Sequence, residues 1–319
     1  MSGPRPLVIC GERGSGPATV TVGMFDGVHR GHRVVLDQVA ATARRLGTTA
    51  GAITFDRHPL ETVRPDVAPP LLSTLADRIA LLRDAGMDWV AVLRFDAGRA
   101  AQTAEDFAER VLFEQLRARA VVVGENFRFG NRARGDVALL ERLGGPRGIE
   151  VTGIGLAADR ERVLSSTAVR QALAAGDVAT AAEVLGRPYG LTGRVGHGDG
   201  RGRGLGVPTA NLRVRRRVLI PAEGVYAGRL HVPGADGRGP LPEPAPAVTS
   251  VGVNPTFDGT ALRVEAHVLD RDVALYGRRA TLTFTHHLRG QVHYDRVEDL
   301  VAQMRADITE AGRVLAARS

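Results

Sequence analysis

Apolar runs of strand length alternate with amphipathic stretches of helix length through the first 186 residues of this 319-residue chain, and that alternation restricts its fold most. The runs at 18–23 (ATVTVG), 48–55, 89–93, 120–124 and 150–154 read as buried strands. Apolar residues at helical spacing predict helices after His32 (VVLDQVAATARRL), over 75–85 and over 104–116, with two more over 167–175 and 178–185. Strands separated by helices of this length imply βαβ units, a parallel sheet and ligands at the C-terminal strand ends. After Gly186 the texture changes. Gly and Pro become dense, and alternating stretches at 262–269 and 279–284 predict half-buried antiparallel strands. The proline-rich segment GADGRGPLPEPAPA reads as an exposed loop. Val297, Leu300, Val301, Met304 and Ile308 form the apolar stripe of a terminal helix. The expectation is an α/β domain over 1–186, then a small antiparallel β-barrel with a C-terminal helix over 187–319.

Composition removes several chemistries. All 42 basic side chains are arginine, which excludes a lysine Schiff base, a lysine-bearing phosphate loop and a self-adenylylating lysine. A GC-rich codon bias accounts for the missing lysines. One cysteine, Cys10, excludes an internal disulfide framework and favours a reducing compartment. Neither a signal-peptide core nor an apolar run of membrane-spanning length is found, so a cytoplasmic protein without a membrane partner is expected. The net charge of +7 invites a nucleic-acid reading. The 35 acidic residues are interspersed among the basic ones, however, and aromatic residues for base stacking are few. The best basic patch, Arg213, Arg215, Arg216 and Arg217, is read as a solvated turn, and no nucleic-acid partner is expected.

The first chemical site follows the first strand. Met24-Phe25-Asp26-Gly27-Val28-His29-Arg30-Gly31-His32 leads directly into a helix. A glycine admits close backbone approach, the helix start offers unpaired N–H groups, and two imidazoles supply donors to phosphoryl oxygens. This arrangement looks like the nucleotidyltransferase superfamily. A second segment, Gly124-Glu125-Asn126-Phe127-Arg128-Phe129-Gly130, follows the strand at 120–124. Ser165-Ser166-Thr167-Ala168-Val169-Arg170 then places hydroxyls and a guanidinium at a helix start, where a plain N-cap is the simpler explanation for the hydroxyls taken alone.

Together with Thr54 to Pro59 (T-F-x-x-H-P), these motifs resemble the prokaryotic bifunctional riboflavin kinase/FMN adenylyltransferase family, also called FAD synthetases. The resemblance implies a Rossmann-like nucleotidyltransferase domain in which an FMN phosphate oxygen attacks the α-phosphorus of ATP. It assigns His29 and His32 to catalysis. It gives Gly23, Phe25, Asp26, Gly31, Ser166, Thr167 and Arg170 to the nucleotide, and Asn126, Phe127, Arg128 and Phe129 to the flavin. Met24, Arg57 and Ala168 depart from the residues frequent in that family.

The β-rich part carries a glycine-dense run over 193–206, then Val207-Pro208-Thr209-Ala210-Asn211-Leu212. Glycines let backbone amides wrap anionic oxygens. The G-x-P-T-A-N-L ending resembles the riboflavin kinase module of the same family. That likeness gives Gly204 and Gly206 to the nucleotide, and Thr209 and Asn211 to an ATP-bound Mg²⁺, whose hardness suits oxygen ligands. Glu265, in Arg263-Val264-Glu265-Ala266-His267, is the expected general base for the riboflavin hydroxyl. Strand alternation places it opposite Val264, Ala266 and Val268. The implied substrates are riboflavin, FMN and ATP. A specialised paralogue, with one activity or a flavin analogue as substrate, stays open, as does a homo-oligomeric state.

Overall fold

The computed structural model describes residues 8–155, 158–159, 162–196, 207–233, 241–256, 259–271 and 273–317. They form two compact units, Met1–Ser166 and Thr167–Ser319.

The first unit is built on a six-stranded sheet: β1 (Val8–Gly11), β2 (Ala18–Val22), β3 (Thr49–Phe55), β4 (Trp89–Leu93), β5 (Ala118–Gly124) and β6 (Glu150–Ile154). Their order is β1-β4-β3-β2-β5-β6. All neighbours are parallel except β1, which pairs antiparallel with β4 at one edge. β2 and β4 are buried along their whole length, as a sheet covered on both faces requires. On one face Leu36, Val39 and Ala43 of the helix Arg30–Leu46 pack with Leu82 of the helix Leu75–Asp84. On the other, Phe107, Val111 and Leu112 join Leu139 and Leu140. The segment expected as one helix over 104–116 starts as a turn capped by Thr103 and continues as a π-helix, Phe107–Gln115. Two short strands, β7 (Ala158–Asp159) and β8 (Arg162–Val163), pair antiparallel.

In the second unit β9 (Tyr189–Gly196), β10 (Ala210–Val214), β11 (Gly224–Val232), β12 (Leu241–Thr256), β13 (Gly259–Val268) and β14 (Arg279–Arg289) close an antiparallel barrel ordered β10-β13-β12-β11-β14-β9. The helix Val297–Ala316 lies on it through Ala311 and Leu315, packed with Ala227 and Leu269. Arg289 clamps that helix with two parallel bonds to the Asp307 carboxylate, 2.9 and 2.7 Å.

One expectation is corrected. The proline-rich segment is not all loop: 241–247 opens β12, with Leu241, Ala245 and Ala247 buried, while 234–240 lies outside the described residues. Prolines at 242, 244 and 246 remove alternate N–H donors from this stretch, whose register against β11 shifts between Ala245 and Leu241. β13 pairs with β12 only from Ala247 onward, and the donors are absent where that neighbour has ended.

Candidate functional site

In the first unit the histidine turn sits at the C-terminal end of β2. Phe25 and Val28 hold positive φ values of 48° and 42°. Such conformations cost non-glycine residues about 1–3 kcal/mol each and persist where surrounding contacts enforce them. Asp26 supplies that enforcement. Its buried carboxylate accepts from the backbone N–H of Leu72 at 2.9 Å, and from the N–H and hydroxyl of Ser73 at 3.2 and 3.3 Å. The Ser73 hydroxyl in turn accepts the Gly27 N–H at 3.2 Å.

His29 is the N-cap of the helix Arg30–Leu46, its Nδ1 accepting the backbone N–H of His32 at 3.3 Å. The two imidazoles stack at 3.6 Å between centroids, and Phe25 meets the His32 ring edge-on at 5.2 Å. Burial pushes His32 well below the usual histidine range, and like-charge repulsion, from His29 when that ring is protonated and from Arg78, pushes it further down. It is neutral near pH 7. Its Nδ1 is buried and has no hydrogen-bond partner among the described residues. Gly31 is needed for the chain itself, because a Cβ there would stand 2.7 Å from the Leu164 carbonyl oxygen and 3.1 Å from His29 Nδ1. At Gly23 a Cβ would meet the Phe25 ring at 3.0 Å. The Ser166 hydroxyl donates to the Asp26 carbonyl at 3.0 Å, so the start of the serine motif reaches the histidine turn. Thr167 and Arg170 follow in the helix Ser166–Ala174 and belong to the second unit.

Beside this turn lies a cavity of about 800 Å³. Phe55, Phe95, Phe127 and Phe129 are among its walls, and its polar groups include His58, Arg99, Gln102, Asn131 and Arg132. Phe127 and Phe129 are near-parallel at 5.3 Å, and Phe55 meets Phe95 edge-on at 5.3 Å. Of the residues expected for a flavin, Phe127, Arg128 and Phe129 line this cavity. Asn126 is exposed and does not.

Sequence reasoning missed Arg78. Its guanidinium is fully buried, and Nη1 donates to Thr54 Oγ1 at 3.1 Å, to the Phe55 carbonyl at 2.9 Å and to Met24 Sδ at 3.6 Å. A signal for it existed. Leu75, Arg78, Ile79 and Leu82 share one helical stripe, so a charge stands at a core position. The aromatic cavity had no such signal, being assembled from separate segments.

In the barrel, Asn211 and Glu265 are direct partners across β10 and β13. The Thr209 hydroxyl donates to the Glu265 carboxylate at 3.4 Å, and His267 Nδ1 lies 2.8 Å from the Pro208 carbonyl oxygen. Val264, Ala266 and Val268 are buried and Glu265 is half-buried, following the strand alternation. A cavity of about 390 Å³ opens beside Thr209, bounded by Arg271, Leu275 and Tyr276. Gly204 and Gly206 lie outside the described residues.

Comparison with known proteins follows the same division. Residues 12–168 match the FAD synthetase family and residues 185–315 the riboflavin kinase family. The chain is 37% identical over 288 residues to the bifunctional riboflavin kinase/FMN adenylyltransferase of Escherichia coli K12, covering 90% of each. It is 36% identical over 301 residues to the protein of that name from Pseudomonas fluorescens, covering 94% of this chain and 93% of that one. A Streptococcus pneumoniae crystal structure titled as a macrolide-efflux protein is similar with a TM-score of 0.81 at 30% identity, covering 93% of this chain and 94% of that one. No helix among the described residues is long and apolar enough to cross a membrane. On likeness that spans both units in order, the chain belongs to the bifunctional riboflavin kinase/FMN adenylyltransferase family.

Proposed function

We propose that this protein phosphorylates riboflavin to FMN with ATP and then transfers AMP from a second ATP to FMN, giving FAD and pyrophosphate. The observation that carries the reading is the ordered pair of family matches, FAD synthetase then riboflavin kinase, each over a unit with its own cluster of polar groups. We assign adenylyl transfer to residues 1–186 and the kinase to 187–319, with a cytoplasmic site of action and no nucleic-acid partner.

In the adenylylation, an FMN phosphate oxygen bonds to the α-phosphorus of ATP as the bond to the β-phosphate oxygen breaks. The nucleophile is already ionised near neutral pH, so catalysis rests on alignment and charge stabilisation. Neutral His32, stacked on His29, offers one N–H donor to the phosphates. Gly23, Phe25, Asp26 and Gly31 shape the turn, and Ser166, Thr167 and Arg170 are assigned to the nucleotide. The phenylalanine-lined cavity suits a planar flavin ring, with Phe127, Arg128 and Phe129 among its walls. Asn126 would reach flavin only after its exposed side chain turns inward.

In the kinase reaction, the neutral ribityl hydroxyl of riboflavin bonds to the γ-phosphorus of ATP as the bond from that phosphorus to the β-phosphate oxygen breaks, ADP leaves and the hydroxyl proton passes to Glu265. Thr209 and Asn211, with neutral oxygens beside that carboxylate, suit a hard cation, and Mg²⁺ held there would neutralise phosphate charge. Gly204 and Gly206 are assigned to the nucleotide.

Chromatography of products from riboflavin and Mg-ATP tests the reading. FMN should appear first and FAD later; folded protein that makes neither refutes it.

A further inference from the structure

Arg78 is a fully buried charge with no contact ion pair among the described residues. Nη1 serves Thr54, Phe55 and the sulfur of Met24, whereas Nε and Nη2 are buried and have no hydrogen-bond partner among the described residues. A buried cation is ordinarily paired, because leaving one unpaired forfeits its hydration with nothing in return. Three carboxylates attract it from neighbouring segments: Asp26 after β2, Asp56 after β3, and Glu61 in the short helix Leu60–Val63. Asp26, the first of these, spends its oxygens on Leu72 and Ser73.

The placement of this charge has a use. Met24 follows β2 and leads into the histidine turn, while Thr54 and Phe55 end β3. Met24 and Phe55 also line the aromatic cavity. One guanidinium therefore ties the turn to the cavity wall, and the Thr54 hydroxyl extends the tie by donating to the Met24 carbonyl at 3.0 Å. Among the described residues, the charges that lower the His32 pKa come from His29 in its own turn and Arg78 in the helix Leu75–Asp84. We propose that Arg78 is a positioning residue of the nucleotidyl-transfer site: through Met24, Thr54 and Phe55 it holds the histidine turn against the flavin cavity, and it keeps a buried positive charge beside that turn. In a low-dielectric interior such a charge acts at a distance, favouring the anionic phosphates in front of the turn and disfavouring a second cation on His32. This inference rests on reading the first unit as the FMN adenylyltransferase.

The test compares Arg78→Gln and Arg78→Lys with the parent chain, using thermal melts as the control of folding and the riboflavin kinase step as the control of protein amount. Imidazole NMR follows the titration of His32, assigned by the loss of its signals in His32→Asn. Arg78→Gln should move the His32 titration up in pH and lower kcat/KM for FAD formation about tenfold or more, with FMN formation unchanged. Arg78→Lys keeps the charge but loses the fork. It should leave the His32 titration in place and recover part of the FAD rate. An Arg78→Gln protein with the parental His32 titration overturns the proposal, and so does an unchanged kcat/KM. If Arg78→Gln does not fold, Arg78→Lys decides alone: a displaced His32 titration or an undiminished FAD rate overturns it. The functional reading fails separately, when the parent chain makes no FAD, because the NMR titration needs no turnover.

Discussion

The imidazoles of His29 and His32 stack at 3.6 Å, and the helix they open is capped by the first of them. The same nitrogen that caps, His29 Nδ1, must be unprotonated to accept the His32 N–H. The pair is thereby committed to neutral or singly charged forms.

Acid should destabilise the first unit through this pair. The folded protein holds His32 well below its usual pKa, so the unfolded chain binds the extra proton first. Stability is complete above the unfolded value of about 6.5 and falls as the pH drops below it. Thermal melts between pH 8 and pH 5 should show that decline, and His32→Asn should flatten it.

His29→Ala removes the cap and one ring of the stack. We expect a stability loss of about 1 kcal/mol from the cap and a fall in FAD formation of about a hundredfold or more. FMN should still accumulate from riboflavin, which product chromatography reads directly.

Glu265→Gln should do the reverse. Riboflavin phosphorylation loses its base and falls about a hundredfold or more, while supplied FMN is still converted to FAD. Equal loss of both steps in a folded variant would contradict the assignment of one site per unit.

Gly31→Ala places a methyl group 2.7 Å from the Leu164 carbonyl oxygen, where only backbone movement relieves the clash. A destabilisation of about 1–3 kcal/mol is expected. FAD formation should fall with it, since the neighbouring atom is His29 Nδ1; denaturant melts and FAD assays check the two parts.

Phe127→Ala opens one wall of the aromatic cavity and removes its stacked contact with Phe129. FMN affinity, followed by flavin fluorescence, should weaken about tenfold.

Much of this architecture is legible along the chain because its signals are local. The run from β2 into His29 and His32 is contiguous, and the alternation around Glu265 survives in the barrel as a half-buried residue between buried ones. Other features are illegible for physical reasons. β1 has only four residues and gains its meaning from pairing with β4 at the edge. The phenylalanine cavity joins residues as far apart as Phe55 and Phe129, so no window of sequence contains it. Arg78 stood on an apolar stripe, yet its bonds to Met24, Thr54 and Phe55 exist only after the sheet forms. The prolines of 242–246 were misleading. They mark a loop in most contexts, and here they occupy the outward positions of a strand.

Those prolines matter beyond the barrel they belong to. A closed barrel exposes no ladder to other chains except where a strand overhangs its neighbour, and β12 overhangs β13 there. An overhang normally invites a foreign strand, the first step of sheet-mediated aggregation. With alternate residues unable to donate, that stretch is a poor template for a foreign strand.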